Sequence, residues 1–447
     1  MHAIARHTGR TVARAAALAA ALVLAACTPR PPAAATAPTG PTSPAAGAVV
    51  LAAGLEAADR YRVGAIASRR FTHAEYWGAL EPVLAAPGFR VEEAGRSLQG
   101  RPIRAVHWGR GPATVLLWSQ MHGDESTSSM AIADILRFLA EGGDDPRRAR
   151  LADSLTITFV PMLNPDGAEL FQRENAAGID VNRDARRLAT PEARALKALR
   201  DRLRPAFGFN LHDQSARTRA GDAGLQTAIA LLAPAFDSAR GYDGVRTRAR
   251  LVASTLAAGL APELPGRLAK YDDTFSPRAF GDMMQRWGTS TVLIESGALP
   301  GDPQKQRLRA LHVAAILHAL DAIATRGYER ADTLAYERLP FNADGARDLL
   351  VLGGHLVLPS QPPLRADLGI NFDDAVARTG GTLREVGDLQ GATAIDTLDA
   401  AGLFLHPDSA ALHGGRGGIW LRVGAPAVFT LRRGADPASE PVARVGN

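Results

Sequence analysis

The sequence predicts an α/β protein: a mixed-sheet α/β/α domain followed by a small β-rich C-terminal domain. Three observations predict it. Between about residues 71 and 324, short apolar runs of strand character alternate with longer stretches of helical period. Several runs end directly on polar residues of ligand type, the position where open α/β sheets carry functional groups. Beyond Tyr328 the texture changes to short strand candidates between Gly, Pro and Asp turns, with no internal repeat.

The chain begins with a different message. Residues 1–14 carry Arg6, Arg10 and Arg14 and no acids, and Ala15–Ala26 is an apolar stretch of twelve. That is short for a membrane span and fits the core of a signal peptide over residues 1–26. The run Leu24-Ala25-Ala26-Cys27 resembles the lipobox of bacterial lipoproteins, which implies lipid attachment at Cys27 and an exported, lipid-anchored location in the cell envelope. An ordinary leader with an incidental cysteine is the alternative. Because Cys27 is the only cysteine, neither a disulfide framework nor a thiolate zinc site is available. Thr28–Gly47 is dominated by Pro, Ala and Thr, and a flexible tether is expected over residues 27–68.

Charge excludes one class of partner. The formal charge is +5 with a pI near 9.7, yet only Lys197, Lys270 and Lys305 among the 51 basic residues are lysines. The arginine usage is chain-wide, and removing the three leader arginines from +5 leaves +2. No concentrated basic stripe remains to bind nucleic acid.

The elements of the expected catalytic domain, residues 69–330, follow in order. Val91–Glu93 and Ile103–Trp108 read as strands flanking the turn Gly95–Gly100, and Thr114–Trp118 as a third. Helical spacing through Met130, Ile135, Leu136 and Leu139 stops at Gly142-Gly143. Leu155–Val160 is a β-like run that empties into the loop Pro161–Gly167. Thr190-Pro191 is a helix start, with threonine as cap and proline at the first helical position. Phe207–Leu211 and Thr291–Ile294 are further strands, and Arg307–Ala324 has helical spacing. The β-rich accessory domain, residues 335–447, carries strand candidates at Leu349–Leu352, His355–Leu358, Leu403–Leu405, Ile419–Val423 and Ala427–Leu431.

Four polar groups stand at strand ends: His122 with Glu125, Asn182 with Arg183, His212, and Glu295. Each alone has a bland explanation, a structural histidine or a carboxylate in a first helical turn. Together they fit one purpose. His-x-x-Glu offers an imidazole and a carboxylate from one turn, and a distant histidine completes a set that leaves a zinc ion an open position. A further carboxylate, Glu295, is placed to take a proton from a zinc-activated water.

The pieces GRSLQGRPI, HGDE, LNPDG, QRENAAGIDVNRD, FNLHDQ and TVLIESG occur in the order of the zinc carboxypeptidase A family of metallopeptidases, which the region from about Phe71 to Ala324 resembles. The resemblance implies one Zn2+ per chain at His122, Glu125 and His212, with Glu295 as general base and acid. It implies Asn182 and Arg183 as the grip on a substrate's terminal carboxylate, and Arg173 as the group that polarises the scissile carbonyl. Asp180 matches the aspartate that orients the zinc-binding His122. Turn or surface ion-pair roles are the alternatives for Asn182 and the arginines.

This sequence departs from the family at two places. The family's catalytic tyrosine has no clear counterpart; Tyr271 is either a substrate contact or a core residue. His212 is followed by Asp-Gln, which is expected to reshape the pocket. The implied function is release of C-terminal residues from peptides with a free carboxylate, with peptidoglycan stem peptides as a substrate class suggested by location. Two rivals are a zinc amide hydrolase of small acyl-amino acids and a non-catalytic envelope binding protein of the same fold.

Overall fold

The computed structural model describes residues 44–222 and 224–446. The expected signal peptide, Cys27 and the first part of the tether lie outside them. The first region contains, in chain order, α1 (Pro44–Arg60), α2 (His73–Leu84), β1 (Phe89–Arg96), β2 (Pro102–Gly109), β3 (Ala113–Ser119), α3 (Thr127–Glu141), α4 (Pro146–Ser154), β4 (Leu155–Val160) and α5 (Pro165–Leu170). It continues with α6 (Pro191–Leu203), β5 (Phe207–Asp213), β6 (Arg219–Ala220), β7 (Ile229–Leu232), α7 (Gly244–Leu260), β8 (Leu268–Lys270), α8 (Phe280–Arg286), β9 (Ser290–Ser296) and α9 (Gln306–Ala324).

Eight strands form one mixed sheet in the order β1-β2-β4-β3-β5-β9-β7-β8. Its centre, β4-β3-β5-β9, is parallel, and β1, β2 and β7 meet their central neighbours antiparallel. Side-chain alternation divides β3 between two cores: Val115 and Leu117 pack with α3 and α9, Leu116 and Trp118 with Leu196, Phe280 and Met284 of α6 and α8. The result is the three-layer α/β/α arrangement. All four central strands point their C-terminal ends to one edge, where the chain crosses back from β4 over β3 to β5.

Two expectations need correction. The tether does not extend to residue 68, because α1 begins at Pro44. Leu51, Gly54, Ala58 and Tyr61 are buried at helical spacing, and α1 packs on α9. A Cβ on Gly54 would lie 2.7 Å from Ala314 Cα, so this glycine permits the close approach. The segment after α1 is pinned by a buried ion pair: Arg309 Nε donates to Asp134 Oδ2 (2.6 Å), its Nη2 to the Val63 carbonyl (3.1 Å), and Val63 N to Asp134 Oδ1 (2.7 Å). The second correction concerns the expected loop Pro161–Gly167, whose end is the start of α5, capped by Asn164.

The Thr190-Pro191 start of α6 is found as expected, with Thr190 accepting from Ala193 N (3.2 Å). Periodicity gave no reading of residues 214–290, where β6, β7, α7, β8 and α8 form. After the short α10 (Leu334–Glu337), β10 (Asn342–Ala343) pairs back onto β6. There follow β11 (Arg347–Leu352), β12 (His355–Leu356), β13 (Leu364–Arg365), β14 (Asp367–Asn371), β15 (Thr382–Gly387), β16 (Ala394–Asp399), β17 (Phe404–Pro407), β18 (Leu412–Gly415), β19 (Gly418–Leu421), β20 (Phe429–Arg432) and β21 (Pro441–Val445). Sheets β15-β14-β11-β16 and β13-β12-β17-β20-β21 enclose one core around Val351, Leu368, Leu405 and Phe429.

Candidate metal centre and substrate pocket

β3 ends at Ser119, and the chain turns through Gln120 (φ 51°) before His122. The loop has no spare room: a Cβ on Gly123 would lie 2.0 Å from the carbonyl carbon of Gly167. Leu163 N and Asn164 N donate to the carbonyls of Ser119 (3.1 Å) and Gln120 (3.0 Å), tying this loop to the one leaving β4. Asn164 accepts from Gly167 N (2.9 Å) and donates to the Met121 carbonyl (3.3 Å). Asp166 accepts from Ser97 Oγ (2.7 Å), Gln99 N (3.0 Å) and Arg101 Nη1 (2.7 Å). The GRSLQGRPI and LNPDG pieces therefore brace the loop that presents His122 and Glu125.

Ser126 occupies the cap position of α3 but does not cap it; its hydroxyl donates to the Arg69 carbonyl. What the turn presents is a cluster. His122 Nδ1 and His212 Nδ1 each lie 2.6 Å from an oxygen of Glu125, and the ligand-type atoms of the three fall within 4.8 Å of one another. All three side chains are buried. His122 Nε2 stands 3.0 Å from Asp180 Oδ1, so a proton held on Nε2 would leave Nδ1 free to coordinate a cation. Asp180 is thus within hydrogen-bond reach of the His122 ring.

The donor set fits zinc: two imidazoles and one carboxylate, with space for a further ligand. The electrostatics point the same way. Burial works to raise the Glu125 carboxyl, but His122 and His212 outweigh it and hold it well below the usual range. His122 itself, which burial would lower, is pushed up to about 9 by the Glu125 charge and the Asp180 bond. A buried anion facing two imidazoles is a site built for positive charge.

β5 and β9 are parallel neighbours with His212 in register with Glu295, so they deliver a ligand and a carboxyl to the same edge. Burial, and then the Glu125 charge, push the Glu295 carboxyl well above its ordinary value. Arg173 donates to Asp180 Oδ2 through Nε (3.1 Å) and Nη2 (2.8 Å), with Nη1 3.3 Å from Glu125 Oε1. Asn182 Oδ1 accepts from Phe280 N (2.9 Å), which aims Nδ2 at His212 Nε2, 3.3 Å away. Arg183 is exposed on the same wall. Tyr271 packs on Ala220, Ala230 and Ala269 and also lines the pocket. Its hydroxyl is pushed above the ordinary tyrosine range by burial first and by Glu295 second.

The structure thus brings every sequence-predicted site residue among the described ones to one pocket of about 440 Å³, with Asp180 directly behind it. Asp213 and Gln214 line it too, as expected of the residues after His212. Sequence reasoning missed Arg69, Phe171, Lys305 and Val376. Lys305 alone carried a signal, being one of three lysines in an arginine-rich chain. Its Nζ donates to Asp213 Oδ2 (2.8 Å), which also accepts from Thr127 Oγ1 (2.6 Å).

Fold and site define a class: an α/β/α protein with a two-histidine, one-glutamate cluster able to hold a metal ion at the C-terminal edge of a mixed sheet. Residues 84–209 match the model of the zinc carboxypeptidase family. Among relatives, the chain is 31% identical over 158 residues to carboxypeptidase 2 of Trichophyton rubrum, covering 33% of this chain and 27% of that one. It is 32% identical over 102 residues to probable carboxypeptidase 2 of Arthroderma benhamiae, covering 22% and 19%. The chain thus spans about a fifth of the length of such curated relatives. Similar solved structures include a metallo-carboxypeptidase from Burkholderia cenocepacia, with TM-score 0.45 and 21% identity over 57% of this chain and 70% of that one. Another is the carboxypeptidase A from Helicoverpa armigera, with TM-score 0.47 and 14% identity over 62% and 81%.

Proposed function

We propose that this protein is a zinc metallocarboxypeptidase that removes C-terminal residues from peptides. The observation that carries the reading is the convergence of His122, Glu125 and His212 with Glu295 and Arg183 on one pocket. In this reading the exposed Arg183 fork and the Asn182 amide grip the terminal carboxylate, whose two oxygens suit a guanidinium. The scissile amide then lies over the three ligand residues. A zinc ion held there would polarise the carbonyl and make a water nucleophilic near neutral pH.

Glu295 takes the proton of the attacking water and returns it to the leaving nitrogen as the C–O bond forms and the C–N bond breaks. Its buried setting suits that task, because a carboxyl pushed upward can hold a proton between the two steps. Arg173 stands beside the ligands, where charge develops on the carbonyl oxygen, and Asp180 keeps both Arg173 and His122 in place. The lipobox-like run at Cys27 supports export and lipid anchoring in the cell envelope, where peptidoglycan stem peptides would be at hand.

The test uses the soluble chain lacking its first 27 residues, loaded with zinc and assayed on peptides with free and amidated C-termini. The expected result is about one zinc per chain, cleavage of the free form only, and KM raised at least ~10-fold in Arg183→Ala. Equal cleavage of the amidated peptide defeats the carboxypeptidase reading, and failure to take up zinc defeats the metal centre.

A further inference from the structure

The pocket is not walled by the first region alone. A turn of the C-terminal region, immediately after β14, places Val376 on it. Asp374 and Thr379 exchange backbone hydrogen bonds of 3.2 Å and close a four-residue turn, Ala375–Arg378. One carboxylate both shapes the turn and fixes its place. Asp374 Oδ1 accepts from the amides of Val376 (3.1 Å) and Ala377 (3.0 Å), while Oδ2 accepts from Arg69 and from Arg70 (3.3 Å).

Arg69 is itself a buried pocket residue. Its Nε donates to the Pro303 carbonyl (3.2 Å), just before Lys305, and its own carbonyl accepts from Ser126, next to Glu125. These anchors belong to the α3 and α9 layer. Asn182 and Arg183 are fastened on the opposite layer, to Phe280 N (2.9 Å) and to Arg278 Nε (3.3 Å) at and just before α8. The ligand residues occupy the sheet edge between the two. A peptide held by its carboxylate at Arg183 must therefore run its upstream residues across the ligands toward Arg69, Lys305 and Val376.

We propose that the C-terminal β region closes the upstream end of this cleft through Val376, making the protein selective for short peptides. Asp374 is the positioning residue that holds the closing turn on Arg69. The inference rests on the carboxypeptidase reading above. A cavity of about 440 Å³ is of the size that encloses a drug-sized ligand, which for a peptide means about three residues. A longer chain would have to displace the turn or the Arg69–Asp374 pair that secures it.

The experiment measures kcat/KM of the zinc-loaded protein on N-acylated peptides with free carboxylates, from dipeptide to decapeptide. From tripeptide to decapeptide the value is expected to fall at least ~10-fold. Asp374→Ala and Val376→Gly are expected to raise the decapeptide-to-tripeptide ratio severalfold. That ratio is independent of the folded fraction, so a loss of stability alone does not move it. Equal rates at all lengths in the unaltered protein, or an unchanged ratio in both variants, overturn the inference. Binding to Glu295→Gln, measured calorimetrically on the same peptides, provides a readout that needs no turnover. Cleavage and binding of no peptide at any length overturn the carboxypeptidase reading, and this inference with it.

Discussion

Glu125 and Glu295 show how two carboxyls of one pocket come to differ. Glu125 touches both imidazoles and is held as an anion; Glu295 stands in the register position beside His212, buried and facing that anion, and is pushed toward its protonated form. Glu295→Gln keeps the size and removes the proton exchange. Its kcat is expected to fall about 10²–10⁴-fold with zinc content unchanged, and an active variant would take the residue out of its assigned role. The ligands were legible in sequence because His212 directly follows an apolar run and His122 and Glu125 share the short turn after another. Val376 and Arg69 were not, because neither sits in a motif and the Arg69–Asp374 pair that joins their segments spans 305 residues.

At the scale of elements, the helix that underlies the site carries a buried histidine with a structural task. His312 of α9 lies between Ser128 Oγ of α3 (2.9 Å) and Ser296 Oγ of β9 (2.7 Å), beneath the strand end that bears Glu295. Burial, aided by the Lys305 charge, lowers its pKa to about 3. Below pH 6.5 the unfolded chain therefore gains a proton that the folded protein does not. Stability falls by about 1.4 kcal/mol per pH unit from 6.5 down toward 3 on this account. In His312→Gln the stability difference between pH 7 and pH 4.5 is expected to shrink by about 2–3 kcal/mol, measured by denaturant unfolding at both pH values. An unchanged difference would mean that other groups govern acid sensitivity. In the sequence α1 was hidden because its alanine-rich surroundings resemble a linker in composition.

At the scale of the whole molecule, the two regions are joined by side chains as well as by β6 and β10. Arg217 donates to Asp348 through Nη2 (2.8 Å) and Nε (3.0 Å) and to the Phe372 carbonyl (2.6 Å), at the root of the turn that carries Val376. The metal centre joins loops after β3 and the end of β5, so occupancy should stabilise the global fold. Free zinc at about a hundred times its dissociation constant contributes about 2.7 kcal/mol. Chelation is expected to lower Tm by several degrees in a calorimetric scan, with recovery on adding zinc back. No shift on chelation would count against a folded-state metal site at His122, Glu125 and His212.

The sequence by itself determined the alternation of strands and helices, the residues that end those strands, and hence the ligand-type groups the site can offer, because periodicity and strand-end placement are local properties. It also determined the Thr190-Pro191 helix start, whose cap and first turn are neighbours in the chain. Only the tertiary structure decided that His122, Glu125, His212 and Glu295 share one edge, since strand order sets His212 in register with Glu295, from a distant part of the chain. Only it decided that GRSLQGRPI and LNPDG serve as braces, and that residues of the C-terminal region complete the pocket. Those outcomes depend on long-range register and domain docking, in which the energy resides in contacts that no single stretch of sequence contains.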